Sequence, residues 1–366
     1  MNKTLKYSLV VLALIGFVGC GEKGGDSNSL SSLSSAVSSA LGGGSDPLMD
    51  KAKKAGLLPI PADEKELNKL IDNPKNPITA EKIELGKKLY FDPRLSRSNL
   101  ISCNTCHNLA TGGVDGVEAA IGDGWTANPH HLNSPTVYNS VFNKSQFWDG
   151  RSPHLEDQAQ GPIQAGPEMA APKDLVVKRV TSIPAYVEEF KKAYGDDVKI
   201  TFEKITDTIG LFERTLVTPS KFDAFLNGKA DALNADEKAG LTLFIDKGCT
   251  ACHNGIALGG DMQNFDATGS YKYKDVGDFK GNADKKVKAP TLRNIEETAP
   301  YYHNGKVWTL KEAIQQMGKV QLMTEINDAD SAKIEAFLKT LTGTKPDIKY
   351  PVLPASTATT PQPIIK

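Results

Sequence analysis

Cys103-Asn-Thr-Cys106-His107 and Cys249-Thr-Ala-Cys252-His253 are the two stretches on which the reading of this chain turns. Cys-x-x-Cys-His is the attachment pattern of a c-type haem. The spacing has a chemical reason. Two thiols add to the two vinyl groups on one edge of a porphyrin, and a two-residue gap lets one helical turn present both. The adjoining histidine then reaches the iron as an axial ligand. Zinc uses the same residue types, but a zinc ribbon places its second cysteine pair about 15–20 residues on. Here 143 positions separate Cys106 from Cys249. A thioredoxin-like pair would sit in a βαβ setting, and no strand pattern surrounds either site. The chain is therefore expected to carry two covalent haems, held by Cys103, Cys106, Cys249 and Cys252, with His107 and His253 on the irons.

The flanks repeat too. Thr79 precedes Ala80 to Tyr90 with Ile83, Leu85 and Leu89 at helical spacing, and Asn234 precedes Ala235 to Ile245, with Glu237 completing a capping box. After each motif comes a second amphipathic helix, marked by Ile205, Ile209, Phe212 and Leu216, then by Ile334, Phe337, Leu338 and Leu341. Helix, haem motif, long loops and closing helix predict a mainly α chain of two cytochrome-c-like haem domains in tandem. The expected divisions are 47–217 and 230–345, a join over 218–229, and an extended proline-containing tail over 346–366.

The other 46 residues read as export and tether. Lys3 and Lys6 precede an apolar run from Leu9 to Val18, the length of a signal-peptide core and too short to span a bilayer. The run ends in Phe17-Val-Gly-Cys20, which resembles a lipobox, so residues 1–19 are expected to be a leader and Cys20 a lipidated cysteine. Residues 20–46, rich in Gly and Ser, read as a flexible tether. The protein is thus expected outside the cytoplasm, in the periplasm, anchored to a membrane through the lipid on Cys20. In all, 366 residues carry 43 basic and 44 acidic side chains, a formal net charge of −1. That balance offers no basic field for nucleic acid.

The loops carry a more specific signal. Asn133-Ser-Pro-Thr, Gln146-Phe-Trp148-Asp-Gly-Arg151, Gln158-Ala-Gln-Gly-Pro162-Ile163, Glu168-Met169, Ala289-Pro-Thr-Leu-Arg-Asn294 and Tyr301-Tyr-His303-Asn-Gly305 resemble the bacterial di-haem cytochrome c peroxidases, in order, from about residue 50 to 345. The resemblance implies reduction of hydrogen peroxide to water with electrons from a small cytochrome c or cupredoxin, and leaves room for a homodimer. It implies that the second-half haem receives the electrons, with His253 below and Met317 above. A thioether favours reduced iron and raises the potential. Met323, six residues on, is the competing ligand.

The first-half haem is implied to be the peroxidatic one, with Glu168 and Gln158 facing it. A carboxylate in a mostly apolar pocket, its pKa raised by desolvation, can carry a proton between the two peroxide oxygens. Pro162 would shape that pocket, and Trp148 would lie between the haems, as bridge or spacer. Asn133, Thr298 and Pro300 match a calcium site, where an amide oxygen and two carbonyls suit a hard cation. His303 and Tyr301 are expected to line the second haem, and His154 to sit on the surface.

One stretch departs from the family pattern. The family places a histidine opposite the first haem in Ile-Gly-His-Gly-Trp, whereas this chain has Ile121-Gly-Asp123-Gly-Trp125. The loop is also two residues longer before Asn133 and contains His130 and His131. Either one of those takes over ligation or the face is open. Two alternatives to the peroxidase stand beside it: a related di-haem oxidase or maturase acting on a protein, and an electron-transfer relay with both irons blocked. Glu168, Gln158 and Met317 argue against the first, since no tyrosine stands at position 317.

Overall fold

The structure is a computed structural model that describes residues 46–266 and 269–365. The expected leader, the lipidated Cys20 and the tether up to residue 45 lie outside the described residues. The described chain is mostly helical, and its strands form two antiparallel pairs, Ile121–Gly122 with Thr126–Ala127 and Met262–Asn264 with Lys286–Lys288.

Each half is built on a crossed pair of helices. Helix Ala80–Phe91 starts at Thr79, whose hydroxyl accepts the Lys82 N–H, and Phe202–Arg214 starts at Thr201, which accepts from Lys204. In the second half, Ala235–Asp246 begins with the Asn234–Glu237 capping box and Asp328–Lys339 is capped by Asn327. Both crossings pass over a glycine. A Cβ at Gly86 would fall 2.3 Å from the Thr208 carbonyl oxygen, and one at Gly240 would fall 1.9 Å from that of Lys333. Any side chain there would push the helices apart. Around each crossing the apolar faces bury Leu85, Leu89, Ile205, Ile209 and Phe212 in one core and Leu241, Phe244, Ile334, Phe337 and Leu338 in the other. Each such side chain contributes about 1.5–3 kcal/mol by leaving water. The expected pairing of helices, and the tandem plan, hold.

The expected boundaries need revising, because the ends of the described chain change places. Met49, Ala52 and Leu57, expected in the first domain, pack in the second core, and Leu57 bridges to Gly255. The expected join over 218–229 contains helix Lys221–Leu226, whose Phe222, Phe225 and Leu226 belong to that same core. Asp223 pins the arrangement. Its carboxylate takes the Ile60 N–H at 2.7 Å and both terminal nitrogens of the buried Arg293 at 2.8 and 2.9 Å.

The tail over 346–366 is extended, yet it lies against the first half. Arg179, 1% exposed, donates to the carbonyls of Arg94, Arg97, Pro361 and Gln362 as well as Ser96. Ile364 N–H donates to the Arg97 carbonyl. A guanidinium has five donors in a fixed fork, so one residue can tie two chain segments together by their backbones.

Candidate active site

Both haem motifs fold as a single helical turn, Cys103–Cys106 and Cys249–Ala251, each followed by its histidine. The imidazoles are oriented alike. His107 Nδ1 lies 2.9 Å from the Pro135 carbonyl oxygen and His253 Nδ1 3.1 Å from that of Leu258. A carbonyl there holds the proton on Nδ1 and leaves Nε2 free for a metal. Burial lowers both pKa values, which keeps the rings neutral, the ligating form. Burial also pushes up all four thiols. That suits sulfurs destined to be neutral thioethers better than thiolate ligands of zinc. The residues present fit two covalently attached haems.

Two cavities open beside the motifs. The first is lined by Cys103, Cys106 and His107 together with Gln158, Pro162 and Glu168. Gln158 ends helix Leu155–Gln158, which packs across Phe202–Arg214, while Glu168 sits in the turn after Gln160–Gln164. Burial raises the Glu168 pKa, opposed by the charges of Arg151 and His130. The sequence reading missed a further acid here. Glu213 also lines the cavity, and burial with the neighbouring Glu156 pushes it up to about 8, which favours its neutral form.

The second cavity is lined by Cys249, Cys252, His253, Met317, Tyr301 and His303. Met317 comes from helix Leu310–Gln321. Met323 lies beyond that helix, 77% exposed and off the cavity. His303 is buried and pushed down to about 4 by desolvation. Trp148 lines both cavities and is held by its indole N–H, which donates to the Asn133 carbonyl at 2.9 Å. Lys288 also faces both, and nothing in the sequence reading singled it out. Its only signal was a charged residue between the apolar Val287 and Ala289.

Asn133, Thr298 and Pro300 all line the first cavity. The Asn133 amide donates to the Pro300 carbonyl at 2.7 Å and to that of Tyr302 at 3.1 Å. In this arrangement two of the groups expected to share a cation share a hydrogen bond instead.

The departing loop is tied down away from the cavity. Asp123 is buried and bonded to Arg97 and to the Ser98 N–H. Burial by itself would raise its pKa, but those hydrogen bonds and the Arg97 charge prevail and lower it. His130 pairs with Asp278 at 3.0 Å, and His131 lies 3.7 Å from Glu118. None of the three lines the first cavity. His154 is a surface histidine, capping its helix and bonded to Glu156.

Residues 80–231 match the family model of di-haem cytochrome c peroxidase, and residues 237–342 match that of cytochrome c. The chain is 47% identical over 332 residues to a cytochrome c551 peroxidase of Pseudomonas aeruginosa, covering 87% of this chain and 93% of that one. The chain belongs to the di-haem cytochrome c peroxidase family. A cytochrome c551 peroxidase of Nitrosomonas europaea is 50% identical over 294 residues, 78% of this chain and 87% of its own. Among solved structures, a MauG-like protein associated with microbial copper homeostasis superposes with a TM-score of 0.66 at 28% identity, over 74% of this chain and 92% of its own. Family membership makes this a chain of two c-type haems, in agreement with the two motifs and the two cavities beside them.

Proposed function

We propose that this protein is a di-haem peroxidase that reduces hydrogen peroxide to water, taking two electrons from a small cytochrome c or cupredoxin. Cys103, Cys106 and His107 would hold the first haem, and Cys249, Cys252, His253 and Met317 the second. When bound, the haems supply the electrons for cleavage of the peroxide bond. The reaction consumes one peroxide, two protons and two electrons and gives two waters. Glu168 takes the proton from the inner peroxide oxygen on a carboxylate oxygen and returns it to the outer oxygen, so that water leaves. The Gln158 amide orients the peroxide by hydrogen bonding. Met317 sets the second site for electron uptake, and Trp148 fills the wall between the sites.

One observation carries this reading. Glu168, raised in pKa, shares a cavity with His107 and Gln158, while Asp123 and His130 are paired elsewhere and His131 stands off that cavity, 3.7 Å from Glu118. The last point bears against the electron-relay alternative and supports an open first site. The test is peroxide-dependent oxidation of a reduced small cytochrome c. Glu168→Gln should lower turnover by about 10²–10⁴-fold with both haems retained, the range of a lost acid–base group. Undiminished turnover in that variant sinks the assignment.

Three finer points belong to the same reading. Calcium at Asn133, Thr298 and Pro300 would require the Asn133 amide to turn its oxygen inward. Export to the periplasm with a lipid on Cys20 rests on the leader pattern, alongside the finding that no described helix is long and apolar enough to cross a membrane. A second copy of the chain as partner rests on the family resemblance alone.

A further inference from the structure

Lys288 ends the short strand Lys286–Lys288, and its backbone N–H donates to the Trp148 carbonyl at 2.8 Å. The residue is 4% exposed and lines both cavities. Its ammonium has three donors and makes one long hydrogen bond, 3.2 Å to the Ser145 carbonyl. Isolated ammonium groups are not kept in such places without a partner, because the desolvation cost is several kcal/mol.

Among the described residues Lys288 makes no ion pair. Among the described residues Asp149 is the anion acting on Lys288, and it is bonded to Arg151. Asp261, beside the partner strand, is bonded to Lys144. His303 on the second cavity is held neutral, and burial raises Tyr301 and Tyr302. Left alone, the amine is pushed down to about 8 by burial. What the protein lacks, a c-type haem supplies. The porphyrin edge away from the cysteine thioethers carries two propionates.

We propose that Lys288 is the counter-charge of a haem propionate at the wall between the two cavities. The inference rests on the reading that both cavities hold haem, and it adds a residue that sets haem potential without ligating iron. An ion pair there neutralises a propionate whose charge would otherwise favour ferric iron, so the lysine raises the potential of the haem it serves. It also keeps that propionate ionised and itself protonated.

The experiment is a spectroelectrochemical titration of both haems in the full holoprotein at several pH values, with haem content per chain measured first. A chain without two haems overturns the underlying reading. In a chain with two, Lys288→Met should lower one midpoint by at least a tenfold change in the reduction equilibrium, about 59 mV for a one-electron couple. That midpoint should also gain a pH dependence in the neutral range, as the unpaired propionate titrates. Lys288→Arg should restore a pH-independent midpoint. Midpoints and slopes unchanged in the methionine variant overturn the proposal. Should the variants fail to load haem, the wild type decides. Its midpoints stay flat from pH 7 to 9 if the ammonium is paired, and one falls across that range if the amine is unpaired and loses its proton.

Discussion

The backbone N–H of Asp123 donates to the carbonyl oxygen of Glu168 at 2.6 Å. The loop that departs from the family pattern and the turn bearing the proposed acid–base carboxyl are therefore one hydrogen-bonded unit. Arg97 joins from the other side, its backbone N–H on the Met169 carbonyl and its guanidinium on Asp123. The contacts that keep Asp123 out of the cavity are the same ones that brace Glu168 at its edge.

An iron left open in this way should be visible at rest. The fully oxidised protein is expected to show a high-spin first haem and to react with peroxide without prior reduction. Asp123→His, which removes the Arg97 pairing and supplies an imidazole, should raise the low-spin fraction and slow that reaction. A low-spin, bis-nitrogen first haem in the oxidised wild type, turned high-spin by His130→Ala or His131→Ala, would show that the longer loop reaches the iron instead.

The Arg97–Asp123 pair should also make itself felt in acid. The Asp123 pKa is lowered in the folded protein, so its contribution to stability is complete above the ordinary carboxylate value. It is lost as pH falls through the lowered one. Because the Asp123 side chain is 2% exposed, Asp123→Asn should cost about 3 kcal/mol at pH 7, the scale of a broken buried pair. Thermal unfolding compared at pH 7 and pH 3 checks this. The gap between wild type and variant should shrink at the lower pH.

Glu168 carries the opposite shift, with a different readout. As a proton acceptor it works only when ionised, and burial raises its pKa. Activity should therefore fall as pH drops through a value above the usual carboxylate range. That limb of the kcat/KM profile should vanish in Glu168→Gln. A wild-type limb at an ordinary carboxylate pKa would place the acid–base group elsewhere.

Much of this was legible in the sequence, for identifiable reasons. Cys-x-x-Cys-His states its own chemistry, and helices capped by Thr79 or Asn234 declare their starts through one side chain. Gly86 and Gly240 stood inside helical patterns where glycine is costly, and the crossings explain both. What could not be seen depends on distance in space. The carbonyls of Pro135 and Leu258 that orient the imidazoles have no side-chain signature. Arg97 pairs with Asp123 across 26 positions, Asp223 with Arg293 across 70, and Lys288 looked like any lysine on a short strand. The domain limits failed at the ends because local composition does not say which core a segment joins.

Met317 gives a prediction at the second site. Met317→His should lower the potential of that haem, since imidazole favours ferric iron more than a thioether does. Met323→Leu should leave it unchanged, given the exposure of that side chain. The reverse pattern in a redox titration would move the ligand to position 323.

Cys20→Ser should release the protein from membranes in fractionation, with no fatty acid on the product. A wild type that is already soluble and carries no fatty acid would refute the anchor.

The exchanged ends have a bearing on how the molecule is made. A chain delivered N-terminus first presents Met49, Ala52 and Leu57 long before the core that receives them exists. The acceptors of Arg179 at Pro361 and Gln362 follow it by 182 and 183 positions. The seal that the tail sets on the first half thus forms only after those positions have been made.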